Sequence, residues 1–381
     1  MTIGSASLHL ALVAGGTGGH MAPAFALASE MKRRGHRLSV ISDRRGMSVP
    51  GLFSAEECHV LETGHMSGSL TARIGTGARV LGNIGKSRAI LKAERPDIVV
   101  GFGGYPALAA LVAARSLGIP ICLHEQNAVL GRVNRLLAPF AALTALSFAG
   151  TARLPRRARH RAVLTGTPVR REIAELAKHP YPKLDEEHML RLLVVGGSLG
   201  AHVLSEVVPD ALSLLPEHLK RRLQVTQQCR PEDLERAASR YRESGIAAEL
   251  MPYINDMPER LFWCHLAICR AGASTLAELA AAGRPGIFVP LPGAADDHQT
   301  ANARHFSDNG AGWTLPQADF NPKTLARSLQ SLARDPDRLA RAAAAARALG
   351  MPDAAAHLAD AIEGLARRKA PTQSGSAMVL T

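Results

Sequence analysis

Two open α/β domains, each a doubly wound parallel sheet, facing one another across a cleft, are what this 381-residue sequence predicts. Three observations point there. The length exceeds what one hydrophobic core usually organises, at roughly 100–200 residues per domain. Hydrophobic residues make up 46% of the chain and aromatics only 4%, so the apolar mass is Ala, Leu, Val and Ile, the material of helices laid on buried parallel strands. The two half-chains also open alike. Residues 8–13 run into Ala14-Gly-Gly-Thr-Gly-Gly-His20, and residues 192–195 into Gly196-Gly-Ser-Leu-Gly-Ala-His202. Each reads as a strand, a glycine loop and a helix start, the pattern of a Rossmann-like unit.

Taken in order, the strands of the first half are expected at 8–13, 37–41, 98–100, 119–123 and 142–146, and those of the second at 192–195, 223–226, 265–268 and 286–289. Helical stretches alternate with them, among them 23–34, stopped at Gly35 as a left-handed cap, 231–242 and 299–309. Gly and Pro interrupt the pattern at Thr165-Gly-Thr-Pro-Val-Arg170, so the first domain is drawn as residues 1–167 and the second as 168–350. A last helix within 351–368 is expected to pack back on the first domain. Residues 369–381 show no periodicity and read as a disordered tail.

Charge is placed unevenly. Residues 1–170 contain 21 Lys and Arg against 8 Asp and Glu, and from Gly131 to Arg171 there are nine arginines and no acid. The first domain therefore projects a positive field toward an anionic partner. No basic stretch is interleaved with aromatics, and no helix-turn-helix or finger spacing occurs, which argues against nucleic acid. Anionic lipid fits better. Residues 136–150 are interrupted by Pro139 and fall short of the ~20 residues that span a bilayer, and the start lacks the marks of a secretory signal, so any membrane contact is expected to be peripheral. A basic amphipathic stretch with Leu70, Ile74, Leu81, Ile84 and Leu91 among Arg73, Arg79, Lys86, Arg88 and Lys92 could rest on lipid or simply cover the sheet. Five cysteines without a C-x-x-C pair speak against disulfides and thiolate zinc, and for a reducing compartment.

Open parallel sheets bind ligands beyond the carboxyl ends of their strands, where the two glycine loops lie. Backbone amides there suit a phosphate. The first loop is not a dinucleotide fingerprint, because Met21 stands where G-x-G-x-x-G needs its third glycine, although Asp43 after the second strand keeps that rival open. His20, in the first turn of its helix, is the candidate base for an attacking hydroxyl. Thr275-x-x-Glu278 matches a capping box, and Glu278 could instead accept hydrogen bonds from ribose. His124-Glu-Gln-Asn127 lacks a zincin's second histidine, Ala128 standing in its place, and Asp296-Asp-His-Gln299 is assigned no metal.

Gly15-Gly-Thr-Gly-Gly-His20, Gly101-Phe-Gly-Gly-Tyr105, His124-Glu-Gln-Asn127, Thr165-Gly-Thr-Pro-Val-Arg170, Gly196-Gly-Ser-Leu-Gly-Ala201 and Arg270-Ala-Gly-Ala-Ser-Thr-Leu-Ala-Glu278 together resemble the MurG family of glycosyltransferases, in the family's order. The resemblance implies a GT-B architecture and a UDP-N-acetylglucosamine donor. The acceptor it implies is lipid I, undecaprenyl-diphosphate-linked N-acetylmuramoyl-pentapeptide, and the outcome inversion to a β-1,4 link without metal or cofactor. It further implies a peripheral place on the cytoplasmic face of the bacterial inner membrane, with cell-wall synthesis and division proteins as partners. Carried over by position, Thr17, Gly18, Gly19, Asn127, Arg170, Ser198, Ile254, Ala273, Ser274, Thr275, Leu276, Ala277, Glu278 and Gln299 would contact the donor, with Ile254 by the uracil, Glu278 by the ribose and Gln299 on the sugar hydroxyls. Gly15, Gly16, Gly103, Gly104 and Tyr105 would hold the acceptor diphosphate. Met21-Ala22, Ser274 and His298 depart from the family's usual residues.

Overall fold

The structure, a computed structural model, describes residues 7–15, 18–44, 58–61, 70–184, 188–197 and 200–369. Among them seven parallel strands form the first sheet: β1 (His9–Val13), β2 (Arg37–Asp43), β3 (Cys58–Leu61), β4 (Ile98–Gly101), β5 (Ile121–Glu125), β6 (Leu143–Leu146) and β7 (Ala162–Leu164). Six more form the second: β8 (Leu190–Val195), β9 (Leu223–Gln228), β10 (Ala247–Met251), β11 (Leu266–Cys269), β12 (Gly286–Phe288) and β13 (Gly312–Thr314). Their spatial orders are β3-β2-β1-β4-β5-β6-β7 and β10-β9-β8-β11-β12-β13. In each all-parallel sheet the order of strand addition thus reverses once, beside β1 and beside β8. These are the switch points at which helices leave opposite faces and a ligand crevice opens.

The helices are α1 (Gly18–Arg33), α2 (Leu70–Glu94), α3 (Tyr105–Ser116), α4 (Arg132–Leu137), α5 (Arg171–Glu175), α6 (His202–Ser213), α7 (Glu217–Lys220), α8 (Leu234–Glu243), α9 (Met257–Trp263), α10 (Ala273–Ala282), α11 (His298–Asp308), α12 (Pro322–Ala333), α13 (Pro336–Leu349) and α14 (Ala354–Lys369). The central strands are buried on both faces, as every residue of β1, β4 and β5 shows; hence their near-continuous apolar runs. Four strands are absent from the sequence-based expectation: β3, β7, β10 and β13. They are the four sheet edges. An edge strand meets water along one flank, so its sequence need not be apolar. β10 reads Ala-Ala-Glu-Leu-Met, and β7 leaves Val163 and Leu164 exposed.

In α2 the glycines at 75, 77, 82 and 85 do not break the helix, which runs unbroken for 25 residues. Of its apolar positions Leu91 is buried, Ile84 packs against the first domain's core and Leu81 is exposed, so the described part mainly covers the sheet. Leu70 and Ile74 have side chains outside the described set, and the tail from 370 on lies outside it too. The chain crosses between the domains twice at one place. Gly166, at φ +80°, stands so close to Met351 that a Cβ there would lie 2.8 Å from the Met351 Cβ. After the second crossing α14 lies along α1, where Leu358, Ala359 and Ile362 join Met21, Leu27 and Met31 in one apolar cluster.

Polar contacts fix that seam. Arg34 reaches Asp360 at 2.6 Å and Glu363 at 3.0 Å, and His36 Nε2 meets Glu363 at 3.1 Å. Burial alone would push Glu363 up, but hydrogen bonds from His36 and Arg34 pull its carboxyl below the usual glutamate value. A carboxylate whose pKa is lower folded than unfolded adds stability above the unfolded value, and that stability is lost as pH falls through the folded one. Thermal unfolding between pH 6 and pH 3 should therefore show Tm dropping more steeply for the natural chain than for Glu363→Gln. Parallel curves would remove the ion pair from the seam.

Candidate active site

On the first domain the site is built from the loops after β1 and β4. The second of these, Phe102-Gly103-Gly104, needs its glycines. Their φ angles are +89° and +82°, a region L side chains rarely occupy. A Cβ on Gly104 would stand 2.8 Å from the Gly15 carbonyl oxygen, and one on Gly103 3.3 Å from His20 Nε2. The loop is pinned from behind by Gln126, whose Nε2 donates to the Phe102 carbonyl at 2.9 Å.

His20 lies in the first turn of α1 with Nδ1 3.2 Å from the Gly15 carbonyl. A carbonyl only accepts, so Nδ1 carries the proton and Nε2, beside Gly103, keeps its lone pair. Burial lowers the imidazole's pKa below 6.5, against opposing pulls from Glu125 and the Gly15 carbonyl. It is thus neutral at pH 7, with a carboxylate near enough to favour the cation once a proton arrives. Gly15 is placed at this loop; Gly16 and Thr17 lie outside the described residues, as does the Tyr105 side chain, whose backbone opens α3.

The 124–127 segment at the end of β5 is the organiser. Buried Glu125 accepts from the Asn127 main chain (3.0 Å) and side chain (3.1 Å), the Gly131 main chain (2.8 Å) and the Asn134 side chain (2.9 Å). These bonds answer the charge with N–H groups and start α4 at Gly131. His124, driven down to about 4 by burial, bonds the Gly166 carbonyl at 2.9 Å and so ties the strand to the interdomain crossing.

On the second domain the loop after β8 is equally tight, since a Cβ on Gly196 would lie 2.4 Å from the Ala201 amide nitrogen. Ser198 lies outside the described residues. Helix α10 starts from Gly272 with no side-chain cap, so the capping-box reading of Thr275 and Glu278 is corrected: both lie inside the helix. Glu278 instead faces Arg170 at 3.4 Å, and burial raises its pKa while Arg170 opposes the rise. Ala273 and Leu276 turn their side chains into the core, leaving Ser274, Thr275, Ala277 and Glu278 partly exposed. Ile254 is 4% exposed and packs in the same core, so only its main chain is available to a ligand. Gln299, in the first turn of α11, accepts the Leu291 N–H at 3.0 Å and keeps its amide group as a donor.

The two halves touch through contacts that sequence patterns do not reveal. Pro23 lacks the N–H that would close the helical bond to the Gly19 carbonyl. That carbonyl accepts the Ser274 hydroxyl of the other domain at 3.0 Å. Fully buried Asn302 donates to Asn127 Oδ1 (3.1 Å) and the Ala271 carbonyl (3.1 Å) and accepts from Ala128 N–H (2.8 Å). Asn134, Asn302 and the bond-forming role of Glu125 were missed from sequence; their partners lie up to 175 residues away. The starts of α1 and α10 therefore meet at the domain boundary, where Ser274 bonds the Gly19 carbonyl and Asn127 pairs with Asn302, while Arg170 and Glu278 pair on the second domain. Among the described residues no three His, Cys, Asp or Glu side chains gather as a cation site would require.

Comparisons with known proteins agree with this arrangement. Residues 10–145 match the glycosyltransferase family 28 N-terminal domain and residues 191–358 its C-terminal domain. The UDP-N-acetylglucosamine--N-acetylmuramyl-(pentapeptide) pyrophosphoryl-undecaprenol N-acetylglucosamine transferase of Zymomonas mobilis is 50% identical, covering 92% of this chain and 91% of its own. The protein of the same name from Rhodospirillum rubrum is 48% identical over 96% and 94%. The crystal structure of Acinetobacter baumannii MurG superposes with a TM-score of 0.75 at 32% identity, covering 94% of this chain and 99% of that one. A Neisseria meningitidis UDP-GlcNAc 2-epimerase, at 12% identity and a TM-score of 0.62, shares the fold. With two parallel-sheet domains of this kind and relatives at this identity along nearly its whole length, the chain belongs to the MurG family of glycosyltransferase family 28.

Proposed function

We propose that the chain transfers N-acetylglucosamine from UDP-N-acetylglucosamine to the 4-hydroxyl of the N-acetylmuramoyl-pentapeptide of lipid I, inverting the anomeric centre and giving lipid II. The observation that carries this is the meeting of the α1 and α10 starts at the domain boundary, with the His20 Nε2 lone pair beside Gly103. The donor sits mainly on the second domain. Glu278 takes ribose hydroxyl hydrogens, the Gln299 amide donates to sugar hydroxyls, and the main chain at Ile254 meets the uracil. The acceptor diphosphate lies against the glycine loops of the first domain, at Gly15, Gly103 and Gly104.

In the transfer His20 accepts the acceptor hydroxyl's proton at Nε2 as the oxygen attacks the anomeric carbon, and the C1–O bond to UDP breaks. Glu125 favours the imidazolium that results. Negative charge gathering on the departing diphosphate meets the α10 amides from Ala273 to Thr275, the positive end of that helix and Arg170. These donors are fixed before the reaction, so little reorganisation is needed as charge develops.

Placement at the cytoplasmic face of the inner membrane is part of the same proposal. No described helix is long and apolar enough to cross a membrane. On the first domain Leu136 is exposed on α4 with Arg132 and Arg135, Phe140 is exposed just after that helix, and Val163 and Leu164 are exposed just after the segment that carries Arg156, Arg157, Arg159 and Arg161. Apolar side chains set among cations suit an anionic lipid surface.

Three measurements test this. Radiolabelled UDP-N-acetylglucosamine offered to lipid I and diacylglycerol side by side should label lipid I; label on diacylglycerol alone would defeat the assignment. His20→Ala should lower kcat by ~10²- to 10⁴-fold. Because the folded pKa is lowered, the natural enzyme should lose rate only below pH 6.5 as the imidazole protonates, and that acid limb should vanish in the variant. An unaltered rate in a folded variant would free His20 of the role. The chain should sediment with anionic vesicles at low salt and be released by high salt, because the attraction is screened; equal binding to neutral vesicles would contradict the electrostatic contact.

A further inference from the structure

The loop between β12 and α11 carries Asp296 next to its last residue, and nothing in the proposed transfer uses it. Its side chain is 15% exposed. Among the described residues its carboxylate meets only the other domain: it is hydrogen-bonded to Arg153, and lies 3.6 Å from Arg132 and 3.9 Å from Arg135. Arg132 and Arg135 stand on α4, the helix whose start Glu125 fixes.

Both ends of this contact are backbone outliers. Asp296 and Asp297 have φ +54° and Arg153 has φ +63°, in the left-handed region that non-glycine residues enter at a cost and keep only where their surroundings enforce it. Asp297 is occupied locally, its Oδ1 accepting the Thr300 hydroxyl at 2.7 Å. Asp296 is held by the arginines across the boundary. The same loop is gripped from its own side by Gln299, whose side chain accepts the Leu291 N–H, so loop and Gln299 form one unit. A lone exposed ion pair contributes little. Here three guanidinium groups of the first domain converge on one carboxylate of the second, and without it they would repel one another with nothing between them.

We propose that Asp296 is a positioning residue for donor binding: clasped by Arg153, Arg132 and Arg135 when the two domains meet, it sets the 289–297 loop, and Gln299 with it, around the donor sugar. The inference rests on the reading of Gln299 as a donor contact. A clasp of this kind stabilises the closed, donor-bound form and leaves the chemistry of the bound complex alone, so its loss falls on KM.

The test uses the full chain with UDP-N-acetylglucosamine as probe, by equilibrium binding and by steady-state transfer to lipid I, at about 50 mM and about 500 mM salt. Asp296→Asn and Arg153→Met should each raise the donor Kd and KM about 5- to 20-fold at low salt, the range of an ordinary coupling between sites, with kcat within about twofold. The double variant should be no worse than the worse single one, since both remove the same contact. At high salt the penalty should shrink without vanishing, because a screening length of about 4 Å weakens the longer Arg132 and Arg135 contacts more than the hydrogen bond to Arg153. Unchanged donor affinity in Asp296→Asn, additive single effects or a salt-independent penalty would each overturn the proposal. If Asp296→Asn does not fold, Arg153→Met, altered at a half-exposed side chain, decides alone. Failure of the natural chain to bind the donor would sink the functional reading and the clasp together, whereas equal binding by natural chain and variants sinks the clasp only.

Discussion

How near the backbone after β4 can come to the start of α1 is the constraint on which the cleft depends. Gly104 lies against the Gly15 carbonyl, with no room for a Cβ, and Gly103 against the His20 ring, with little room for one. That closeness gives His20 its orientation, because the same Gly15 carbonyl that crowds Gly104 takes the Nδ1 proton. The loop in turn hangs on Gln126, Gln126 follows Glu125, Glu125 fixes Asn127, and Asn127 meets Asn302 of the other domain. Close packing, chain neighbours and hydrogen bonds together therefore link the candidate base to the far half of the molecule.

Electrostatics divides the site along similar lines. Glu125 is a buried carboxylate answered by neutral N–H donors alone, which leaves its negative potential felt at His20. Glu278 is partly exposed and has a guanidinium beside it, and its charge is spent locally on Arg170. One carboxylate thus bears on an imidazole, while the other is paired with a cation. Around both, the arginine-rich rim of the first domain supplies the long-range field.

What could be read from the sequence follows from the range over which each feature is determined. Central strands announce themselves because both their faces are buried; the edge strands β3, β7, β10 and β13 do not, because half their surroundings are water. Glycine loops were legible because steric demands at a backbone turn are local. Thr275-x-x-Glu278 was ambiguous for the opposite reason: the partner of Glu278 in the fold is Arg170, 108 residues earlier. Ser274 could be noticed as unusual, but its use depends on a carbonyl released by Pro23 in the other domain. Asn302 and Asp296 carry no local signature at all, since what distinguishes them is a partner brought across the boundary by folding.

The double crossing at Gly166 and Met351 bears on how the chain is made. Because α14 completes the apolar layer over α1, the first domain consists of two pieces of chain with the whole second domain inserted between them. Emerging from the ribosome, its sheet stands finished long before Leu358, Ala359 and Ile362 arrive to cover Met31 and Leu27. The domain synthesised first is therefore sealed last, and in the interval it presents a bare hydrophobic face to the chaperones and membranes of the cell.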